Sequence, residues 1–169
     1  MPNHDWDRPA PGELWRVHRL MNTLDVEDGS DALSPAWLVE HGLGETDDVE
    51  PVRRLRGALR ALLLSHNGAP LDADAVATLD ALSRSASVFV GFAPDGNPRL
   101  EAEEPIGRTL AIVAQAEADG TWERLKICPA NDCRWAFYDF SRNHSRTWCS
   151  MSMCGNRAKA RTYRSKASA

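Results

Sequence analysis

The segments Cys128-Pro129-Ala130-Asn131-Asp132-Cys133 and Cys149-Ser150-Met151-Ser152-Met153-Cys154 decide how the chain must be read. They hold all four cysteines of the protein, as two C-x4-C pairs separated by fifteen residues. Two close pairs on tight turns, brought together by the insert between them, suit a tetrahedral ion. Four thiolates complete the coordination of zinc and leave no position for water, so such a site folds a chain and does not catalyse. Zinc in finger peptides is worth about 10–16 kcal/mol. A module of about 45 residues needs that contribution, because its apolar core is too small. Two disulfides, an iron–sulfur cluster and four unrelated thiols are the alternatives. Disulfides require an oxidising compartment, whereas the start Met1-Pro2-Asn3-His4-Asp5 has neither the basic residues nor the apolar stretch of an export signal. One structural Zn2+ on Cys128, Cys133, Cys149 and Cys154 is therefore expected, in a cytoplasmic protein.

Around the cysteines, Trp135, Phe137 and Tyr138 predict one strand and Thr147-Trp148-Cys149 a second. Ser141-Arg142-Asn143-His144-Ser145-Arg146 then forms a basic hairpin tip between them. The alanines and charges after Cys154 predict a helix. A cysteine knuckle, a hairpin and a last cysteine at a helix start describe a treble-clef-like four-cysteine zinc finger. Trp148 is expected to pack over the metal, and Gly155 to let the backbone turn tightly around it. His144 reads as an exposed loop residue or a phosphate contact. Asn143 and Asn156 read as residues that bond nearby backbone rather than base edges.

Charge divides the chain. Residues 122–169 carry ten Arg/Lys against three acids, a net +7, while the other residues carry ten basic and 21 acidic groups, a net −11. The overall −4 hides this contrast. A basic module joined to an acidic domain points to a polyanion as partner. Arg142 and Arg146 sit on the predicted hairpin tip. Arg157, Lys159, Arg161, Arg164 and Lys166 sit on the last helix, with Arg157, Arg161 and Arg164 on one face. Such residues neutralise phosphates, and a helix of this size fits a major groove. The plainer reading is a solvated helix, or one docked on the acidic domain.

Upstream, residues 1–12 contain three prolines and read as a flexible arm. Residues 13–121 read as a mainly α domain with one small β-hairpin. Val17, Leu20, Met21 and Leu24 mark one helix face. Ser34-Pro35 caps a short helix that stops at Gly42 or Gly44. Asp47, Asp48, Glu50 and Pro51 start the clearest helix, with Val52, Leu55, Leu59, Leu62 and Leu63 inward and Arg53, Arg54, Arg56 and Arg60 mostly off that stripe. Asp72 caps another helix. Ser87 to Phe92, the turn Pro94-Asp95-Gly96-Asn97 and Arg99 to Ala102 form the hairpin. Pro105 opens the last helix, which fades near Gly120, and Trp122–Ile127 connects to the finger. No run of about 18 apolar residues is present, so no membrane span is expected.

The residues Cys128-Pro129-Ala130-Asn131-Asp132-Cys133, Ser141-Arg142-Asn143, Arg146-Thr147-Trp148-Cys149-Ser150-Met151 and Cys154-Gly155-Asn156-Arg157-Ala158-Lys159 together resemble the CGNR zinc finger family, over about residues 123–165. Asn22-Thr23-Leu24-Asp25 and Leu33-Ser34-Pro35 with Trp37-Leu38 resemble markers of the ABATE-type domain, a stress-responsive regulatory module. The resemblance implies a bacterial transcription regulator whose finger, residues 122–169, binds DNA. Its acidic helical domain then senses a small-molecule effector or forms a homodimer. The competing expectation is a zinc-stabilised protein-interaction or redox-sensing module without sequence-specific DNA binding. An enzyme is not expected. The metal site is closed, no Gly-rich phosphate loop is present, and His18, His41 and His66 lie isolated on helical stretches.

Overall fold

The computed structural model of the chain describes residues 8–167; residues 1–7 and 168–169, with the side chains of Lys166 and Ala167, lie outside the described residues. The elements are α1 (Leu14–Met21), α2 (Pro35–Glu40), α3 (Glu50–Ser65), α4 (Ala73–Ser85), β1 (Phe89–Phe92), β2 (Pro98–Glu101), α5 (Pro105–Ala118), β3 (Leu125–Ile127), β4 (Ala136–Tyr138) and α6 (Asn156–Ala167). The helix starts follow local chemistry. Ser34 accepts from the Trp37 N–H, and Asp72 from the N–H groups of Asp74 and Ala75. Proline occupies the first turn of α2, α3 and α5.

Val17, Leu20 and Met21 of α1 meet Val52, Leu55, Leu59 and Leu63 of α3 in one buried core. The same core takes in Leu125 and Ile127 of β3 and Ala136 and Tyr138 of β4. Because side chains alternate along a strand, Phe137 faces the opposite way, into a second cluster with the cysteines, Ala130, Trp135 and Trp148. The finger is thus not strung on a linker: its hairpin forms part of the helical domain's core. Each fully buried Leu or Ile there contributes about 1.5–3 kcal/mol.

Two expectations need correction. Arg56 and Arg60 are not outside the apolar stripe but 4% and 8% exposed. Arg56 donates to both Asp31 carboxylate oxygens at 2.7 Å and to Thr23 Oγ1 at 2.6 Å, while Arg60 donates to the Met21 and Arg134 carbonyls. Their charge is carried inward because acceptors wait there. Part of the arm is also held: Ala10 is buried and its N–H donates to His18 Nδ1 at 3.2 Å.

The Asp31–Arg56 pair sets an acid limit. The Arg56 hydrogen bonds hold the Asp31 carboxyl far below the usual range, outweighing the opposite effect of burial. Its unfolded value is about 3.9, so its stabilisation is complete above that pH and is lost as the pH falls below it. Asp31→Asn is expected to cost about 1.5–3 kcal/mol at neutral pH. It should also flatten the acid limb of a plot of denaturation midpoint against pH.

Candidate metal centre and basic surface

The first cysteine pair forms the turn of the β3–β4 hairpin. Strand pairing of Leu125 with Tyr138, Lys126 with Phe137 and Ile127 with Ala136 continues as Cys128 N–H donates to the Trp135 carbonyl at 2.9 Å. Cys133 is placed by its N–H bond to Ala130. The second pair lies across it: Cys149 ends a loop, and Cys154 sits in a π-turn, Met151–Gly155, that runs directly into α6. The four sulfurs lie within 4.8 Å of one another, Cys133 to Cys149 at 3.5 Å and Cys149 to Cys154 at 3.7 Å. A tetrahedron with zinc–sulfur bonds of 2.3 Å has sulfur–sulfur edges of about 3.8 Å, so the set fits that ion. A disulfide needs about 2.05 Å, and the four thiols are free.

The thiols condition one another. Hydrogen bonds from Cys133 and Cys149 push the Cys128 thiol down. The bond to Cys128, with burial, pushes the Cys133 thiol up. Cys149 is raised for the same reasons. An incoming ion therefore displaces protons that the cluster otherwise keeps, and its affinity rises with pH.

The expected finger hairpin is built from other residues. Thr147-Trp148-Cys149 is not a strand. The Trp148 and Cys149 carbonyls accept from the Arg146 guanidinium, which also lies 5.1 Å from the Phe137 ring centre. The partner of β4 is β3, within the stretch read as a connector. Residues 141–146 are therefore a loop organised by a buried ion pair that the sequence reading missed. Lys126 Nζ donates to Asp139 at 2.8 Å and to the His144 and Arg146 carbonyls at 2.7 and 3.2 Å. Asp139, wholly buried, also accepts from the N–H groups of Ser141 and Arg146. Charged residues inside apolar runs, Leu125-Lys126-Ile127 and Tyr138-Asp139-Phe140, were the available signal.

The basic residues separate into two groups. Arg146 is turned into the finger. Arg157 donates to the Cys154 sulfur at 3.3 Å and lies 3.3 Å from an Asp132 carboxylate oxygen. It binds the second knuckle to the first and faces the negative charge that four thiolates keep after binding one divalent ion. Arg142, Lys159, Arg161 and Arg164 are exposed. Arg161 is 3.9 Å from Asp132, with both side chains about half exposed, a geometry worth little. Side chains on α6 are exposed at nearly every described position after Ala158.

The remaining sequence-marked residues are structural. Gly155 does not serve a left-handed turn; a Cβ there would strike Met151 and Trp148, so its role is close approach. Trp148 packs against the cysteine cluster as expected. His144 Nδ1 lies 3.2 Å from Glu123, and Asn156 donates to the Ser152 carbonyl. His18 bonds the Ala136 carbonyl, His66 the Leu125 carbonyl, and His41 stacks on Trp37 at 3.8 Å.

The ABATE domain family, described as a putative stress-induced transcription regulator, matches residues 16–120, and the CGNR zinc finger family matches residues 124–167. The chain belongs to the ABATE family and carries a CGNR zinc finger. No curated protein matches it. The Asn22 marker of the ABATE domain has a definite place: its side chain donates to the Ala136 carbonyl at 3.0 Å and accepts from the Ala136 N–H at 2.8 Å. It pairs with the edge of β4 as a further strand would. Together with Arg60 on Arg134 and Asn67 on Ile127 and Thr147, it fastens the ABATE domain to the CGNR finger. No helix among the described residues is long and apolar enough to cross a membrane.

Proposed function

We propose that this ABATE–CGNR protein is a bacterial DNA-binding transcription regulator, cytoplasmic and without catalytic activity. The observation that carries the reading is α6. It emerges from the metal centre, packs chiefly on the turn before it, and leaves Lys159, Arg161 and Arg164 exposed in a module of net +7. A helix free on most sides and rich in cations suits a groove lined by phosphates. Arg142 adds a further exposed cation. Arg146 and Arg157 hold the finger together instead of contacting DNA. One small finger supplies limited specificity, so the reading includes a homodimer on a two-fold site. The clasp of Asn22, Arg60 and Asn67 keeps the finger in fixed orientation on the domain that senses the signal.

Lys159→Gln with Arg161→Gln tests this, in a mobility shift of full-length zinc-loaded protein on duplex DNA. Each lost phosphate contact lowers the steepness of the salt dependence by about 0.9 in log–log units. The double substitution should weaken binding at low salt and reduce the slope by about 2. Wild-type protein that fails to shift any duplex at low salt ends the reading.

A further inference from the structure

The N-terminal domain holds a pocket of about 490 Å³ between α1, α5 and the β1–β2 hairpin, lined by Glu13, Arg16, Arg99, Leu100, Arg108 and Ile112 among others. Its volume falls in the range of small-molecule sites. Its chemistry is asymmetric. Arg16 is paired with Glu13, and Arg99 with Glu101. Arg108 is half-buried and has no carboxylate within ion-pair distance among the described residues. Its Nε donates to the Ala102 carbonyl at 2.9 Å and its Nη1 to the Gly42 carbonyl at 3.2 Å, which fixes the plane of the guanidinium. Its Nη2 makes no hydrogen bond to described residues. Partly buried cations are ordinarily matched by an anion, and an anchored guanidinium loses little freedom when it binds one. Leu100, Ala111 and Ile112 supply an apolar wall beside it.

We propose that this pocket binds a small organic anion, its carboxylate on Arg108 and its hydrocarbon part against Leu100, Ala111 and Ile112. The inference rests on the sensing role proposed above for this domain and gives it a ligand class. The pocket also has a mechanical link to the finger. Helix α1 carries Arg16 at the pocket and His18 two residues on, and Asn22 caps its end; His18 and Asn22 both bond Ala136 of β4. Gly42 belongs to the same construction. It lies at φ +66°, a conformation that favours glycine, and a Cβ there would meet the Arg16 guanidinium, so glycine lets the loop close over that side chain without displacing it.

Calorimetry on full-length zinc-loaded protein, without DNA, tests the site with benzoate, 1-naphthoate and octanoate, and with 1-naphthamide as the uncharged control. At least one carboxylate is expected to bind saturably, and 1-naphthamide about tenfold or more weaker than 1-naphthoate. Arg108→Gln should weaken the carboxylate by about tenfold or more. Gln115→Glu, at an exposed lining position, should weaken it by repulsion, while the exposed bond it removes to Asp119 lowers the melting temperature only slightly. No saturable binding by any carboxylate, equal binding of the amide, or affinity unchanged in Gln115→Glu and Arg108→Gln overturns the proposal. DNA binding is measured separately without these probes, so the pocket and the regulator reading fail independently.

Discussion

Cys149→Ala is expected to lose zinc and to unfold residues 124–167. Cys149 sits 3.5 Å from Cys133 and 3.7 Å from Cys154, so it joins the two knuckles. Without it, three thiolates remain and no ligand replaces the fourth: among the described residues, the four cysteines are the one cluster able to hold a metal. The binding free energy of structural zinc, about 10–16 kcal/mol in finger peptides, is folding free energy for such a module. The damage should spread. Leu125, Ile127, Ala136 and Tyr138 belong to the core that α1 and α3 complete, so the helical domain should melt at a lower temperature as well. Metal analysis should give one zinc per wild-type chain and none per variant, with loss of the α6 signals in a nitrogen–proton spectrum. A variant that keeps one zinc and an intact α6 would remove the four-thiolate site from the account.

The second large effect is expected from Lys126→Met. The substitution leaves the Asp139 carboxylate wholly buried without its cation and leaves the His144 and Arg146 carbonyls without a donor. Breaking a buried ion pair from one side costs about 3–5 kcal/mol. Adding Asp139→Leu should return only part of this. The carboxylate also accepts from the backbone N–H groups of Ser141 and Arg146, and leucine leaves both unpaired. Burial raises the Asp139 carboxyl, but the bonds from Lys126 and Ser141 outweigh it and the net shift is downward. The pair therefore stabilises fully above the unfolded value of about 3.9 and is lost as the pH falls below it. Denaturant titration of wild type and both variants at neutral and acid pH checks each step. A loss below about 1 kcal/mol for Lys126→Met would show that the pair does not organise the loop.

These two sites differ in how plainly the sequence announced them. The cysteines are close in sequence, and their spacing alone carries the geometry of a tetrahedral ion. Helix starts were equally open, because Ser34, Asp72 and the prolines at 35, 51 and 105 act within their own turns. The finger strands were not, since the partner of Ala136–Tyr138 is fixed by burial against α1 and α3, which no local pattern records. Thr147-Trp148-Cys149 has strand-forming composition, yet its carbonyls are taken by the Arg146 side chain. Charge misled in the same way. Arg56, Arg60, Arg146 and Arg157 resemble surface residues in sequence, but each has an internal acceptor whose position depends on the whole fold. Among the described residues, the exposed cations of the finger are Arg142 and, on α6, Lys159, Arg161 and Arg164.

The central claim is that zinc holds α6 in the position from which it meets DNA. Titration of metal-free full-length protein with zinc, with DNA affinity followed at each step at fixed low salt, tests it most directly. The account predicts that binding appears in proportion to zinc up to one equivalent, and that added salt then weakens it. Equal DNA affinity with and without zinc would contradict it.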